Sequence, residues 1–270
     1  MNGLRVVAAF LVRDWRLHAA NRMGVLISLG SALATLTPFF FISQLVTTSL
    51  PQALAPYGGN YFAFVLLGLA AARYVSATLT GFAGRIREEQ VNGTLEALMA
   101  SPAPMWSIVV GALAWEVLWT TAEVGLYVLL GITIFAVDLT AVNLLSVAVL
   151  LAGGLTALSA LGLLAACGVL LYKEADPVGW ILGSAMKVLG GVLFPVSLLP
   201  AWLERLAGAL PLTPFLEGLR QAALLGKSVG ALKANLLTLG IWIVVLWPAA
   251  IFTFNKTVRH LKYSGKLGFS

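Results

Sequence analysis

The sequence has few of the residues from which catalytic and metal sites are usually built. Its 270 residues include one cysteine, Cys167, and two histidines, His18 and His260. A single cysteine excludes a disulfide within the chain and leaves a zinc cluster without enough ligands. The histidines lie far apart in sequence, and no H-E-x-x-H motif occurs. A metal-dependent or hydrolytic enzyme therefore has little support, and we expect no cofactor in this chain.

Charged residues are also scarce. Only 10% of the residues are charged and 60% are hydrophobic, whereas a soluble domain usually carries about a quarter charged residues. This composition excludes an ordinary soluble domain. The net charge is +6, but no basic run is interleaved with aromatic residues, which argues against nucleic acid as a partner. The excess Lys and Arg lie beside apolar segments, where the headgroups of anionic membrane lipids would attract them.

Long apolar segments are abundant. A hydrocarbon core about 30 Å thick requires roughly 20 apolar residues per helix, and the chain holds enough for about six helices. We therefore predict an all-α membrane protein with a single domain over residues 1–270. The predicted spans are residues 23–46, 61–84, 105–137, 142–172, 178–199 and 231–254. Residues 1–22 mix arginines with apolar side chains, which predicts an N-terminal helix in the headgroup layer rather than a cleaved signal.

The distribution of basic residues predicts the orientation of these spans. Basic residues cluster in alternate connections, at residues 5–22 and 85–87, at Lys173 and in the tail from Lys256. The connections between them are nearly uncharged, and basic loops tend to stay in the cytoplasm. We expect both termini in the cytoplasm and the chain in the plasma (inner) membrane. Residues 200–230 fit badly, because they would be external yet carry Arg205, Arg220 and Lys227.

Prolines are concentrated before the last predicted span, at Pro195, Pro200, Pro211 and Pro214. Each proline removes a backbone donor and breaks a helix, so residues 194–226 cannot form one continuous span. The stretches between the prolines remain apolar, which favours two short re-entrant helices backed by protein. A plain external loop with an amphipathic helix on the membrane surface is the alternative.

Four ionisable residues fall inside the predicted spans: Arg73, Glu116, Glu123 and Lys187. Arg73, Glu116 and Lys187 approach the bilayer centre, where a charge costs at least about 2.5 kcal/mol and usually has a partner. Glu123 follows Glu116 by seven residues and shares its helix face. Two interpretations remain: a buried ion-pair lock between spans, or a polar contact for a substrate headgroup or gate.

One charged island, residues 85–102, separates the second and third spans. It contains three glutamates, and Asn92-Gly93 marks a turn within it. Thr94 can cap the next helical turn, so we predict a short cytoplasmic helical hairpin that ends at Pro102. Such a hairpin presents carboxylates and an apolar ridge to a partner. A solvated loop, the alternative, would explain the arginines but not the leucines and glutamates.

Two separated motifs resemble the permease subunits of type-2 ABC exporters, whose members move drugs, lipids or lipid-linked glycans. The motifs are Glu88-Glu89 to Gly93-Thr94-Leu95-Glu96 with Ser101-Pro102, and Phe194-Pro195 to Leu199-Pro200 with Pro211-Leu212-Thr213-Pro214, Glu217 and Arg220. The resemblance implies six transmembrane helices, an N-terminal interfacial helix, a cytoplasmic coupling helix and short re-entrant helices before the last span. It assigns the coupling region to Glu88, Glu89, Gly93, Thr94, Leu95 and Glu96. It assigns an outer gate to Phe194, Pro195, Pro200, Pro211 and Pro214.

The same resemblance implies partners. A separate nucleotide-binding subunit would hold ATP and magnesium and dock on the coupling helix. A second copy of this chain, or a related permease, would complete the pathway. In this chain Gly226-Lys227-Ser228 resembles the end of a phosphate loop, but Gln221 stands where the pattern requires glycine. We therefore expect another chain to hydrolyse the ATP.

Two other classes of protein remain as alternatives. A secondary transporter driven by an ion gradient would use Glu116, Glu123 and Lys187 as coupling residues. It predicts inverted repeats and broken helices at matched positions in the two halves, whereas the breaks here occur only near the end of the sequence. A membrane enzyme is the weakest alternative, because no catalytic groups cluster at one membrane face.

Overall fold

The computed structural model describes residues 3–19, 22–46, 51–91, 93, 105–172 and 177–264. These residues are helical apart from turns and contain no strand. The α-helices are α1 Gly3–Ala19, α2 Arg22–Val46, α3 Pro51–Leu54, α4 Tyr61–Ser76, α5 Phe82–Val91, α6 Met105–Thr133, α7 Leu144–Tyr172, α8 Pro177–Leu189, α9 Ala201–Gly208, α10 Leu212–Leu224 and α11 Lys233–Ser264. A π-helical segment, Ala77–Gly81, joins α4 directly to α5. The all-α prediction is confirmed for the described residues.

Within the described residues, five helical stretches are long and apolar enough to cross a membrane. They are Leu26–Leu45, Tyr61–Glu89, Leu113–Thr133, Leu144–Leu171 and Val229–His260. Each overlaps one of the predicted spans, and the prediction of a multi-pass membrane protein is confirmed. In the second stretch, α4, the π-helical segment and α5 form one unbroken helix from Tyr61 to Val91, which we call the column. The column carries several residues of the site described below.

The fifth predicted span, residues 178–199, is wrong at its C-terminal end. The helix α8 stops at Leu189 after 13 residues, which is about 20 Å and shorter than the hydrocarbon core. The chain turns at Gly190 and Gly191, and Gly191 adopts a φ of 79° that a residue with a side chain rarely takes. Pro195 then precedes a 3₁₀ turn, Val196–Leu198. Hydropathy missed this break because the turn residues are as apolar as the helix.

The column and α6 run antiparallel, because Arg73 pairs with Glu123 whereas Arg85, further along, pairs with the earlier Glu116. The bundle therefore has two ends. We call the end that carries α1 and α5 the α1 end. The far end carries residues 54–61, 134–143 and 190–232. Two of its connections are joined directly, because the backbone N–H of Asn143 donates to the carbonyl of Ala222 at 3.0 Å. The connections at the far end therefore form part of the packed structure.

The helix α7 lies at the centre of the bundle. It packs along α11 and α10, and also against α5 and the π-helical segment. Its buried side chains include Leu150, Leu158 and Leu161. Gly162 makes the closest approach, because a Cβ added there would lie 1.8 Å from the backbone oxygen of Thr78. Only a glycine lets α7 touch the backbone of the π-helical segment.

We predict that Gly162→Ala destabilises the protein by about 1–3 kcal/mol, because the new methyl group meets backbone that cannot rotate away. The matched control is Gly125→Ala on α6, where an added Cβ would meet nothing within 4 Å. That substitution should leave stability unchanged or raise it slightly, since alanine favours helix. Thermal unfolding of both variants in detergent, followed by tryptophan fluorescence, measures the difference. Equal melting temperatures would contradict the packing described here.

Candidate functional site

The four ionisable residues predicted inside the spans lie around one cleft between α4 and α6. The cleft has a volume of about 200 Å³. Its lining residues are Arg73, Ser76, Ala77, Thr80, Gly81, Glu116, Trp119, Thr120 and Glu123. Lys187 reaches it from α8, where its Nζ donates to the hydroxyl of Ser76 at 2.7 Å. Residues far apart in sequence thus share one polar surface inside an apolar bundle.

The ion pairs in this cleft differ from those expected from membrane depth alone, which places Arg73, Glu116 and Lys187 at a similar level. Arg73 Nη2 donates to Glu123 Oε2, and the indole N–H of Trp119 donates to the other oxygen of that carboxylate at 3.1 Å. Glu116 accepts from Arg85 Nε at 2.7 Å, although sequence reasoning placed Arg85 in a cytoplasmic loop. The result is a ladder of two ion pairs between the column and α6.

The π-helical segment explains how both arginines reach α6. Twelve residues separate Arg73 from Arg85, and twelve residues would leave them about 120° apart around a regular α-helix. A π-turn takes in one extra residue, which reduces that offset by roughly 100°. Gly81, the last residue of the segment, has no side chain to displace the Glu116 carboxylate, whose Oε2 would lie 2.9 Å from an added Cβ. The local helix geometry therefore creates the ladder.

Three more charged residues extend the ladder to α1. Asp14 is buried, and its Oδ2 lies 3.5 Å from Arg85 Nη1. Arg13 Nε donates to Asp14 Oδ1 at 2.9 Å, and Arg13 Nη1 donates to Glu89 Oε1 at 3.0 Å. One continuous network thus joins α1, α5 and α6. None of its members outside α5 and α6 was singled out from sequence, because an arginine beside an aspartate near the N-terminus resembles any interfacial helix.

The predicted coupling region is only partly described. Glu88 is exposed at the end of α5, whereas Glu89 is committed to Arg13. Gly93 lies in a turn with a φ of 70°, which agrees with the turn expected at Asn92-Gly93. The other predicted coupling residues, Thr94, Leu95 and Glu96, lie outside the described residues. Among the described residues of this region, Glu88 is therefore the carboxylate that lies on the surface.

The proline-rich segment folds into short helices, as the re-entrant interpretation requires, although the membrane depth of these helices is a proposal. Phe194 and Pro195 lead into the 3₁₀ turn, and Pro200 immediately precedes α9. Pro211 immediately precedes α10, and Pro214 lies in its first turn, where its carbonyl accepts from Asn235 Nδ2 at 3.0 Å. The prolines therefore fall at helix starts, where the missing N–H has no intrahelical partner.

A buried arginine ties this far-end segment to the column. Arg220 is 2% exposed. Its Nη2 donates to the backbone oxygens of Phe64 at 3.1 Å and Val192 at 3.0 Å, and its guanidinium carbon lies 3.3 Å from the centroid of the Phe64 ring. Gly68 leaves the space for this contact, since an added Cβ would lie 2.8 Å from Arg220 Nη2. Arg220 is thus an internal anchor. It is not an exposed loop charge, so it no longer argues against the predicted orientation.

A second contact supports the same anchor. The hydroxyl of Tyr57 donates to Glu217 Oε2 at 2.6 Å, one turn before Arg220 on α10. Burial of the phenol, and then its hydrogen bond to the carboxylate, raise the pKa of Tyr57 above its ordinary value. The phenol therefore stays protonated and remains a donor over the physiological pH range. The sequence resemblance had quoted Glu217 and Arg220, but gave no partner for either.

The phosphate-loop resemblance finds no structural support. Gly226, with a φ of 63°, lies in the turn between α10 and the 3₁₀ turn Val229–Leu232. A phosphate-binding loop follows a strand, and the described residues include none. Lys227 Nζ donates instead to Gln221 Oε1 at 3.0 Å. The motif is a helix-ending turn.

Comparison with known proteins gives one family. The family model for the ABC-2 type transporter matches residues 15–224, which is more than half of the chain and includes the ladder and the far-end anchor. Comparison with curated proteins gives no match. The matched region begins within α1 and ends with α10.

The ladder leads to a first prediction about this site. Arg85→Gln and Glu116→Gln should each destabilise the protein, because each leaves a partly buried charge without its partner. The double variant should be less destabilised than the sum, by an interaction energy of about 1–2 kcal/mol. Arg87→Gln is the control, since Arg87 makes no ion pair with any described residue. Unfolding by sodium dodecyl sulfate titration measures all four variants, and strict additivity would contradict a direct pair.

The far-end anchor leads to a second prediction. Arg220→Met should cost about 1–3 kcal/mol, because it removes hydrogen bonds to two backbone carbonyls in a buried site. Arg205→Met on α9 is the matched control, since Arg205 is exposed, and it should change stability by less than about 0.5 kcal/mol. Thermal unfolding in detergent compares the two variants. An equal loss at both positions would show that Arg220 does not anchor the segment.

Proposed function

This chain belongs to the ABC-2 type transporter family, and we propose that it forms the translocation pathway of an exporter whose ATP is hydrolysed by a separate subunit. The match over residues 15–224 is the observation that carries this proposal. The five stretches of the described chain that are able to cross a membrane support a pathway-forming role. The cargo that we propose is a drug, a lipid or a lipid-linked glycan, as in the exporters that the sequence resembles.

In this proposal the α1 end faces the cytoplasm of a plasma (inner) membrane. Arg5, Arg13 and Arg16 of α1 and Arg85 and Arg87 of α5 lie at that end, and positively charged segments beside the spans favour the cytoplasm. The ATPase, which carries ATP and magnesium, docks around residues 85–102. The burial of Arg220 supports this orientation. The preference of basic residues for the cytoplasm applies to exposed loops, so a buried arginine at the far end does not argue against it.

The network at the α1 end gives the ATPase a mechanical route into the spans. A push on α5 reaches α6 through the Arg85–Glu116 pair and reaches α1 through the Arg13–Glu89 pair. A chain without a nucleotide site cannot bias its own conformations with ATP, so the free energy enters at this junction. Glu88, Glu89, Gly93, Thr94, Leu95 and Glu96 form the proposed coupling region. Within it, Glu88 contacts the ATPase and Glu89 holds α1 against α5.

The column carries the same movement to the far end. The segment from Tyr61 to Val91 is helical throughout, so a displacement of α5 also displaces Phe64, to which Arg220 is bonded. We assign the outer gate to Phe194, Pro195, Pro200, Pro211 and Pro214 on this basis. Opening of the gate then follows the movement of α4.

The proposed assembly contains two permease chains, either two copies of this one or this one with a related permease. The cleft opens on the surface of the single chain, where the Arg73 side chain is 43% exposed. An exposed guanidinium inside a membrane span is costly unless it faces water or protein. A second chain opposite the cleft, with a watery pathway between, provides that environment.

The coupling surface gives the test of this proposal. The tagged chain is co-expressed with candidate ATPase subunits from the same genome and purified in detergent. We expect one ATPase to co-purify, and we expect Glu88→Lys combined with Glu96→Lys to reduce its recovery at least about fivefold, since charge reversal at a contact costs several kcal/mol. Glu204→Lys is the control, because Glu204 is exposed on α9 at the far end.

The outcome that overturns the proposal is also specific. The proposal is overturned if no ATPase co-purifies and if the chain alone, in liposomes, accumulates a solute under an ion gradient. The secondary-transporter alternative would then hold, with Glu116, Glu123 and Lys187 as its coupling residues. The ion pairs favour the ATP-driven reading, because both glutamates already have an arginine partner.

A further inference from the structure

We propose that the cleft between α4 and α6 binds the anionic group of an amphipathic cargo, and that Lys187, Ser76 and Arg73 hold that group. The chemical class is a phosphate, carboxylate or sulfonate carried on an apolar molecule. The inference rests on the proposed function and deepens it by naming the cargo class. Its evidence is the charge balance, the donor groups and the size of the cleft.

The charge balance leaves one cation over. Both carboxylates of the cleft are matched, Glu123 by Arg73 and Glu116 by Arg85. Lys187 has no carboxylate within 4 Å among the described residues, and it lies near enough to Arg73 for the two cations to repel each other. Close to Ser76, Lys187 and Arg73 face the single carboxylate of Glu123, so the excess positive charge is local to this part of the cleft. The ladder, its extension to α1 and Lys187 are neutral when taken together. An anion between Lys187 and Arg73 would replace this repulsion with two attractions.

The donor groups suit an anion. An ammonium has three donors, and the structure accounts for one of them, in the bond from Lys187 to Ser76 Oγ. The Arg73 guanidinium has five N–H donors, and its pair with Glu123 leaves others available on a side chain that is partly exposed. Ser76 follows Arg73 by one helical turn, so both residues belong to the same stretch of the column.

The simplest structural explanation of Lys187 is stabilisation of its charge by the C-terminus of α8. This stabilisation is smaller than the free-energy cost of placing the charge there. Lys187 lies in the last turn of α8, where the carbonyl end of a helix favours a cation. That effect is small compared with the cost of a single charge within a membrane span. A transient anionic ligand accounts for a lysine in this position that has no carboxylate within 4 Å among the described residues.

The size of the cleft restricts the ligand to a headgroup. The cleft has a volume of about 200 Å³, which is enough for a group the size of a phosphate or carboxylate. A long acyl chain would not fit in this volume and would remain outside the cleft. A cationic headgroup is disfavoured, because it would have to displace an arginine from Glu116 or Glu123.

Lipid binding to the purified full-length chain, without ATPase or ATP, tests this inference. The probes are phosphatidic acid and diacylglycerol with identical oleoyl chains, compared by native mass spectrometry from a neutral detergent. We expect the wild-type chain to prefer phosphatidic acid at least about tenfold. Lys187→Gln should remove most of this preference, and Lys187→Arg should retain most of it. Lys233→Gln is the control, because Lys233 is an exposed lysine at the start of α11.

The same experiment separates the possible sources of the anion. If inorganic phosphate at millimolar concentration displaces phosphatidic acid, the site recognises the free anion and the proposal of an amphipathic cargo is overturned. Equal binding of the two lipids, or a preference that Lys187→Gln leaves unchanged, would also overturn it. If Lys187→Gln does not fold, Ser76→Ala serves instead and should weaken the preference severalfold. Because no ATPase is present, a failure here leaves the co-purification result unaffected, and the reverse also holds.

Discussion

The structure depends on one constraint: the column must present Arg73 and Arg85, twelve positions apart, to the same neighbouring helix. A regular α-helix of this length cannot place both Arg73 and Arg85 on α6, because the two positions diverge around the helix axis. The π-helical segment Ala77–Gly81 corrects the divergence. Glu116 and Glu123, seven residues apart on a regular helix, then find both partners. π-helical segments are rare in proteins, and those that occur often lie at functional sites.

The charges specify the arrangement of the helices more than they stabilise it. A partly buried ion pair gains little over an apolar contact, but removing one partner leaves the other desolvated and alone. The ladder and its extension to Asp14 and Arg13 therefore act mainly against other registers of α1, α5 and α6. The stabilising free energy comes from apolar packing around α7, where glycines such as Gly162 permit close approach.

Much of the fold was predictable from hydropathy, because length and apolar content decide whether a helix can cross a membrane. The end of α8 was not, since Gly190 and Gly191 interrupt an apolar run without changing its hydropathy. The set of charged residues around the cleft was predictable too, because charged side chains inside membrane spans usually lie near a partner of opposite charge. Their pairing was not, since it depends on the π-turn, which no residue between Ala77 and Gly81 signals. Arg220 was misread as a loop charge because its carbonyl partners, at Phe64 and Val192, carry no sequence signal.

The distribution of exposed side chains separates two kinds of surface on this chain. The helices α2 and α11 expose apolar residues, including Leu26, Ile27, Ile241 and Val244, and such surfaces suit lipid tails. The cleft side exposes Arg73 instead, and a guanidinium cannot face hydrocarbon at the same low cost. Lipid can therefore cover α2 and α11, whereas the cleft requires water or a second chain. This asymmetry is what a half-pathway needs, because its polar side is completed only when another permease chain lies opposite.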